Sequence, residues 1–197
     1  MTKMRKLSHF EGKEPYLETI LREMRFYVAS KYIPQNSNLA DFGCGFHGEL
    51  LNKLSEKIKS GTGYDISVNK TPRHSNIKLY KTDINKKITR DNLKFDCITT
   101  LAVLEHVSDP DSYIKNIAIK LKPKGLLIIT TPHKRSKGLL EILSLKLGLV
   151  SKDEILDHKN YFTESTLKKI IIQNKFKIME LKTFEFGLNL LCVARRY

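Results

Sequence analysis

Apolar residues along this chain fall into short continuous runs alternating with stretches of helical periodicity. The runs lie within residues 38–43, 61–65, 77–82, 95–101 and 126–130. Each has the length of a strand, and Leu126 to Thr130 is apolar without a break, as expected of a strand covered on both faces. Between them lie helical stripes. Leu17, Ile20, Leu21, Met24 and Val28 share one face after Pro15, and Pro34 closes that segment. Leu50, Leu51, Leu54 and Ile58 form a second stripe after Gly48. Ser108-Asp109-Pro110-Asp111 supplies a cap, a first-turn proline and acids at the positive helix end, followed by Tyr113, Ile114, Ile117, Ala118 and Leu121. Pro123 and Gly125 are expected to end that helix.

This alternation predicts an α/β fold with a doubly wound, mostly parallel sheet. The pattern then changes. Residues 133–162 form a long connection holding an apolar helical segment, Leu139 to Leu149, and a helix opens at Thr163 with Leu167, Ile170 and Ile171 inward. Phe176 to Phe184 and Leu188 to Ala194, joined across Gly187, read as two strands so tightly connected that they must be antiparallel. The expectation is a single domain over 1–197, with a seven-stranded sheet ending in an antiparallel hairpin and 133–162 as a substrate lid.

Bulk properties narrow the class. No apolar run reaches the 18 or so residues of a membrane span, and the charged stretch Met1 to Glu14 lacks the apolar core of a secretory signal. Cys44, Cys97 and Cys192 have no C-x-x-C spacing and read as reduced, buried residues of a cytoplasmic protein. The formal net charge is +14, but lysines carry most of it and are spread along the chain, so solvated lysines explain it better than a nucleic-acid surface. No dense His/Cys/acid spacing marks a metal site, and none is expected.

The candidate chemistry sits at the strand ends. Leu39-Ala40-Asp41-Phe42-Gly43-Cys44-Gly45-Phe46-His47-Gly48 reads as a strand, a glycine turn and a helix start. Glycines there let a ligand approach main-chain N–H groups. About 20 residues on, Gly63-Tyr64-Asp65 ends a second strand in an acid suited to a ribose diol. An acid two residues before the first glycine would oppose a pyrophosphate and suits a cofactor carrying positive charge. In these residues the chain resembles the class I S-adenosylmethionine-dependent methyltransferases, whose first motif reads acid-x-Gly-x-Gly. Leu104-Glu105-His106-Val107 with Asp109-Pro110 matches a recurrent signature of that family, and the resemblance spans roughly residues 13–195.

The resemblance implies S-adenosyl-L-methionine as cofactor and assigns positions around it. Gly43, Cys44 and Gly45 would lie under its methionine part. Asp41 would stabilise that loop, Asp65 would hold the ribose with Ile66 on the adenine, and Asp83 with Ile84 would sit near the adenine amino group. Leu101 and Ala102 would line the methionine end. Methyl transfer from a sulfonium needs alignment more than acid catalysis, because the leaving group becomes neutral. An oxygen acceptor gains from a base, and His106, His133 and His158 are the candidates, with Asp157 and Tyr161 beside His158 singling it out. The expected acceptor is a small molecule or a glycan- or lipid-linked group, methylated at oxygen or nitrogen. Residues 138–150 with Asp157-His158-Lys159-x-Tyr161 loosely resemble enzymes of bacterial surface-polysaccharide pathways, and 138–150 offers either a packed lid or a peripheral membrane contact. An RNA methyltransferase, a nicotinamide oxidoreductase and a non-catalytic cofactor-binding protein remain as alternatives. The first lacks support from any basic–aromatic interleaving, and the second is opposed by Asp41 and the closing hairpin.

Overall fold

A computed structural model describes residues 16–69, 71–83, 93–138 and 158–197. Helix α1 (Tyr16–Ser30) precedes β1 (Asn38–Phe42), α2 (Glu49–Lys53), β2 (Ser60–Asp65) and β3 (Ile77–Lys81). Then follow β4 (Phe95–Leu101), a 3-10 turn (Leu104–His106), α3 (Pro110–Lys120), β5 (Leu121–Pro132), α4 (Glu164–Gln173), β6 (Phe176–Phe184) and β7 (Asn189–Arg196). The seven strands form one sheet in the order β3-β2-β1-β4-β5-β7-β6. All pairings from β3 to β5 are parallel, and β7 runs antiparallel to both β5 and β6. The doubly wound sheet with its closing hairpin is thus the fold the sequence predicts.

Both sheet faces are buried, which explains the unbroken apolar runs. Leu39, Cys97, Ile128, Leu191 and Val193 face one cluster with Ala29, Ile33, Leu50 and Leu51. Their sequence neighbours Ala40, Ile98, Leu127, Ile129, Leu190 and Cys192 face the other, with Tyr113, Ile114, Ile117, Leu167 and Ile171. The three cysteines are free and buried. No helix among the described residues is long and apolar enough to cross a membrane.

Two elements depart from the sequence pattern. The stripe after Gly48 makes a helix of only five residues, because the chain turns at Leu54, whose carbonyl receives the N–H groups of Lys57 and Ile58. Ile58 still reaches the core through that turn. Strand β5 starts at Leu121 rather than Leu126. Leu121 pairs with Phe95, the register shifts, and pairing resumes at Leu126 opposite Cys97. Pro123, Lys124 (φ 62°) and Gly125 therefore form an irregular step inside one long strand.

Strand order reverses about β1, whose neighbours are β2 and β4. The crevice at the carboxyl ends of β1 and β4 is where an open α/β sheet binds ligands.

Candidate functional site

The turn after β1 is fixed from beneath by β2. The N–H groups of Gly43 and Cys44 both donate to the Tyr64 carbonyl, at 2.8 and 3.3 Å. Gly45 N–H donates to Asp65 Oδ2 at 3.0 Å. Gly43, Gly45 and Gly48 all have positive φ, near 82°, 71° and 61°. Their surroundings separate their roles. A Cβ on Gly43 would lie 2.2 Å from Val103 Cγ2, and one on Gly48 would lie 2.7 Å from Leu79 Cδ2. A Cβ on Gly45 would meet nothing within 4 Å. Gly43 and Gly48 permit close packing of protein on protein, whereas Gly45 keeps a space open above the loop.

Asp41 lies under this loop, 4 % exposed, and accepts a hydrogen bond from Thr99 Oγ1 at 2.7 Å. Burial pushes its carboxyl up to about 7, the nearby Asp65 charge adds to the rise, and the Thr99 hydroxyl opposes it. Burial and the Asp41 and Asp65 charges also push the Cys44 thiol far above its usual range, so it is an inert loop residue and not a nucleophile. Ile66, next to Asp65, is 36 % exposed. Asp83 follows β3 by two residues in a half-buried position, beside Thr82, whose N–H donates to the Asp65 carbonyl at 2.7 Å. Ile84 lies outside the described residues.

At the end of β4 the backbone is strained. Ala102 has φ 54°, rare for a residue with a Cβ, and its N–H donates to the Thr130 carbonyl at 2.9 Å. The strain turns the chain from Leu101 into the 3-10 turn beside the glycine loop, since Gly43 packs on Val103. That turn presents Glu105 and His106. Glu105 is 1 % exposed, and its Oε2 accepts from Thr131 Oγ1 at 3.0 Å. Burial holds its carboxyl above the usual range, opposed chiefly by the His106 charge. The Glu105 carbonyl receives the N–H groups of Lys159 and Asn160, at 2.9 and 3.0 Å, and Asn160 Nδ2 donates to the Val107 carbonyl at 2.7 Å. These bonds bring His158 back onto the turn. The His106 and His158 rings meet edge-to-face with centroids 4.9 Å apart, and Tyr161 Oη lies 3.2 Å from His158 Nδ1.

His133 does not join them. It is 3 % exposed, and its Nδ1 accepts the Arg135 N–H at 3.0 Å. Its Nε2 therefore carries the proton and donates to Glu164 Oε2 at 3.1 Å. Both nitrogens are thus engaged, and His133 ties β5 to the start of α4. Sequence inspection also missed Thr99 and Thr131, although hydroxyls at the ends of two otherwise apolar strands were a usable signal. It missed a buried pair at the hairpin too, where Asn189 Nδ2 donates to Glu185 Oε2 beside the end of β5. Most of the 138–150 segment and Asp157 lie outside the described residues.

A parallel sheet with a glycine loop on β1, acids ending β1 and β2, and a closing hairpin defines a nucleoside-cofactor domain of methyltransferase type. Residues 14–181 match the family model described as "Methyltransferase domain", and the chain belongs to that family, the class I S-adenosylmethionine-dependent methyltransferases. It is 33 % identical over 122 residues to a ubiquinone biosynthesis O-methyltransferase of Coxiella burnetii, which covers 58 % of this chain and 51 % of the relative. The chain thus spans about half the length of the curated relatives it matches first. Its fold is similar to an S-adenosylmethionine-dependent methyltransferase from Mesorhizobium loti (TM-score 0.67, 19 % identity, 86 % of this chain and 96 % of that one). It is also similar to the N-methyltransferase NodS from Bradyrhizobium japonicum, solved with S-adenosyl-l-homocysteine (TM-score 0.65, 18 % identity, 94 % and 93 % of the two chains). S-adenosylmethionine is the family's cofactor, and the open space over Gly45, the cation-suited Asp41 and the Asp65 carboxylate fit it.

Proposed function

We propose that this protein transfers a methyl group from S-adenosylmethionine to a hydroxyl oxygen of a small-molecule acceptor. The observation that carries the oxygen assignment is the convergence of Glu105, His106 and His158 at the end of β4, beside the glycine loop. The O-methyltransferase relatives support the same acceptor atom.

Asp65 would accept hydrogen bonds from the cofactor's ribose, as it already does from Gly45 N–H. Ile66 would cover the adenine. Asp41 would face the cofactor's positive charge, which favours its ionised form. The strained turn at Ala102 would set main-chain atoms beside the methionine end. When bound, the cofactor supplies an electrophilic methyl group on a cationic sulfur. The protein's own tasks are to align an acceptor oxygen and to weaken its O–H bond. His106 and His158 sit where an acceptor proton would be received, with Glu105 behind them and Tyr161 orienting the His158 ring.

The test has two stages. Calorimetry should show binding of S-adenosylhomocysteine and no binding of NAD; the reverse result ends the methyltransferase assignment. A tritium-methyl transfer screen over phenols, catechols, hydroxylated lipids and glycans should then give a product with an acid-stable methyl ether. A methylated amine as the only product would replace oxygen with nitrogen.

A further inference from the structure

The Glu105–His106–His158 cluster has the composition and closeness of a metal centre, and we infer that it binds one divalent transition-metal cation beside the cofactor's methyl end. Each residue offers one ligand atom, and these atoms all lie within 4.8 Å of one another. Metal–ligand bonds of about 2.0–2.2 Å put neighbouring ligand atoms roughly 3–3.5 Å apart, so small side-chain rotations close the set. The ring planes of His106 and His158 stand 64° apart, which lets both direct a nitrogen to one point without overlap.

The scaffold around these ligands is built as metal sites are, with partners that hold each ligand in place. Thr131 Oγ1 donates to Glu105 Oε2 at 3.0 Å and holds the carboxylate in place. Tyr161 Oη lies 3.2 Å from His158 Nδ1 and fixes the orientation of that ring. The turn that bears Glu105 and His106 is closed by His106 N–H on the Val103 carbonyl at 2.9 Å. The segment that bears His158 is stapled to the same turn through the Glu105 carbonyl. The carboxylate provides an independent pointer. It is 1 % exposed and accepts from the neutral Thr131 hydroxyl, and the two groups that share its cluster are imidazoles, which bind metals when uncharged.

Two nitrogens and one carboxylate oxygen select borderline cations such as Zn2+, Co2+, Fe2+ or Mn2+, whereas Mg2+ and Ca2+ prefer all-oxygen sets. Three protein ligands leave positions open. An acceptor hydroxyl bound there would release its proton to solvent more readily, because the cation stabilises the oxygen anion. This rests on the cluster being the acceptor's end of the site and gives its two histidines the role of metal ligands in place of proton receivers.

The experiment uses the full chain, stripped with a chelator and desalted. Co2+ titration followed by visible absorption, and Zn2+ titration against a chromophoric chelator, should both show one site per chain. Glu105→Gln, His106→Ala and His158→Ala should each weaken Zn2+ by at least about 10-fold. Tyr161→Phe should weaken it less, and His47→Ala and His74→Ala should leave it unchanged. His158→Ala carries the test if the turn variants do not fold, as judged by S-adenosylhomocysteine binding. No stoichiometric uptake by the wild-type protein overturns the proposal. So does a His158→Ala variant that binds as tightly as wild type, or loss of binding in His47→Ala or His74→Ala. Failure of the wild-type protein to bind S-adenosylhomocysteine would overturn the methyltransferase assignment alone, because the metal spectrum is read without cofactor.

Discussion

Burying a carboxylate without a cation costs stability, and Asp41 carries that cost. Its carboxyl rises from 3.8 to about 7 in the folded chain, so between those values the folded state holds a proton that the unfolded state has released. Stability therefore falls as pH rises from about 4 to about 7 and stays low above it. Asp41→Asn removes the charge and keeps an acceptor for Thr99. The variant should be more stable than wild type at pH 8, by at most roughly 4 kcal/mol. The gain should vanish toward pH 4, and cofactor affinity should fall. Urea melts at the two pH values and calorimetry with S-adenosylmethionine check this; equal stability at pH 8 would show that the fold does not raise the Asp41 carboxyl.

The two loop glycines make a contrasting pair at the same scale. Gly45→Ala should cost the fold only the roughly 1–2 kcal/mol of a positive φ, since its Cβ meets no protein atom, yet should weaken S-adenosylhomocysteine binding strongly. Gly43→Ala should destabilise the fold more, because its Cβ runs into Val103. Thermal melts paired with binding isotherms separate the two. Gly45 losing only stability would mean that the open space above it is not the cofactor's.

At the level of elements, α4 is held by its first turn. Thr163 caps it, its side chain accepting from Thr166 N–H while Thr166 Oγ1 accepts from Thr163 N–H. His133 ties the same turn to β5 through Glu164. Thr163→Ala should cost about 1 kcal/mol in urea unfolding. His133→Gln should cost a similar roughly 1–2 kcal/mol and leave S-adenosylhomocysteine binding and turnover within about twofold of wild type. A fall in turnover of 100-fold with unchanged stability would return His133 to the chemistry and refute its role as a fastener.

Over the whole molecule, chain order and sheet order part company at the C-terminus. The last strand, β7, lies inside the sheet between β5 and β6. Removing residues 185–197 should therefore abolish cooperative unfolding rather than trim an edge, because β5 and β6 would both lose their partner. Circular dichroism of the truncated chain decides this. The basic residues behind the net charge of +14 are spread along the chain, so RNA binding should be weak and fall steeply between about 50 and 200 mM salt. Submicromolar, sequence-dependent binding at physiological salt would argue for an RNA acceptor instead.

The sequence by itself determined what local chemistry controls. Alternating strand-length runs and helical stripes set the α/β class, Gly187 set the antiparallel closing hairpin, and Asp41 to Gly48 with Asp65 marked the turns at the carboxyl ends of β1 and β2. Caps such as Asp109 and Thr163 were legible because a cap is a contact over two or three residues. Only the tertiary structure decided which histidines meet. His106 and His158 are 52 positions apart and touch because the Glu105 carbonyl captures Lys159 and Asn160, whereas His133, closer to His106 in sequence, is turned into α4. Likewise the rise in the Asp41 carboxyl comes from burial under the glycine loop and from Asp65 on the neighbouring strand. Contacts across long loops depend on how distant elements pack, and no local pattern of residues encodes that geometry.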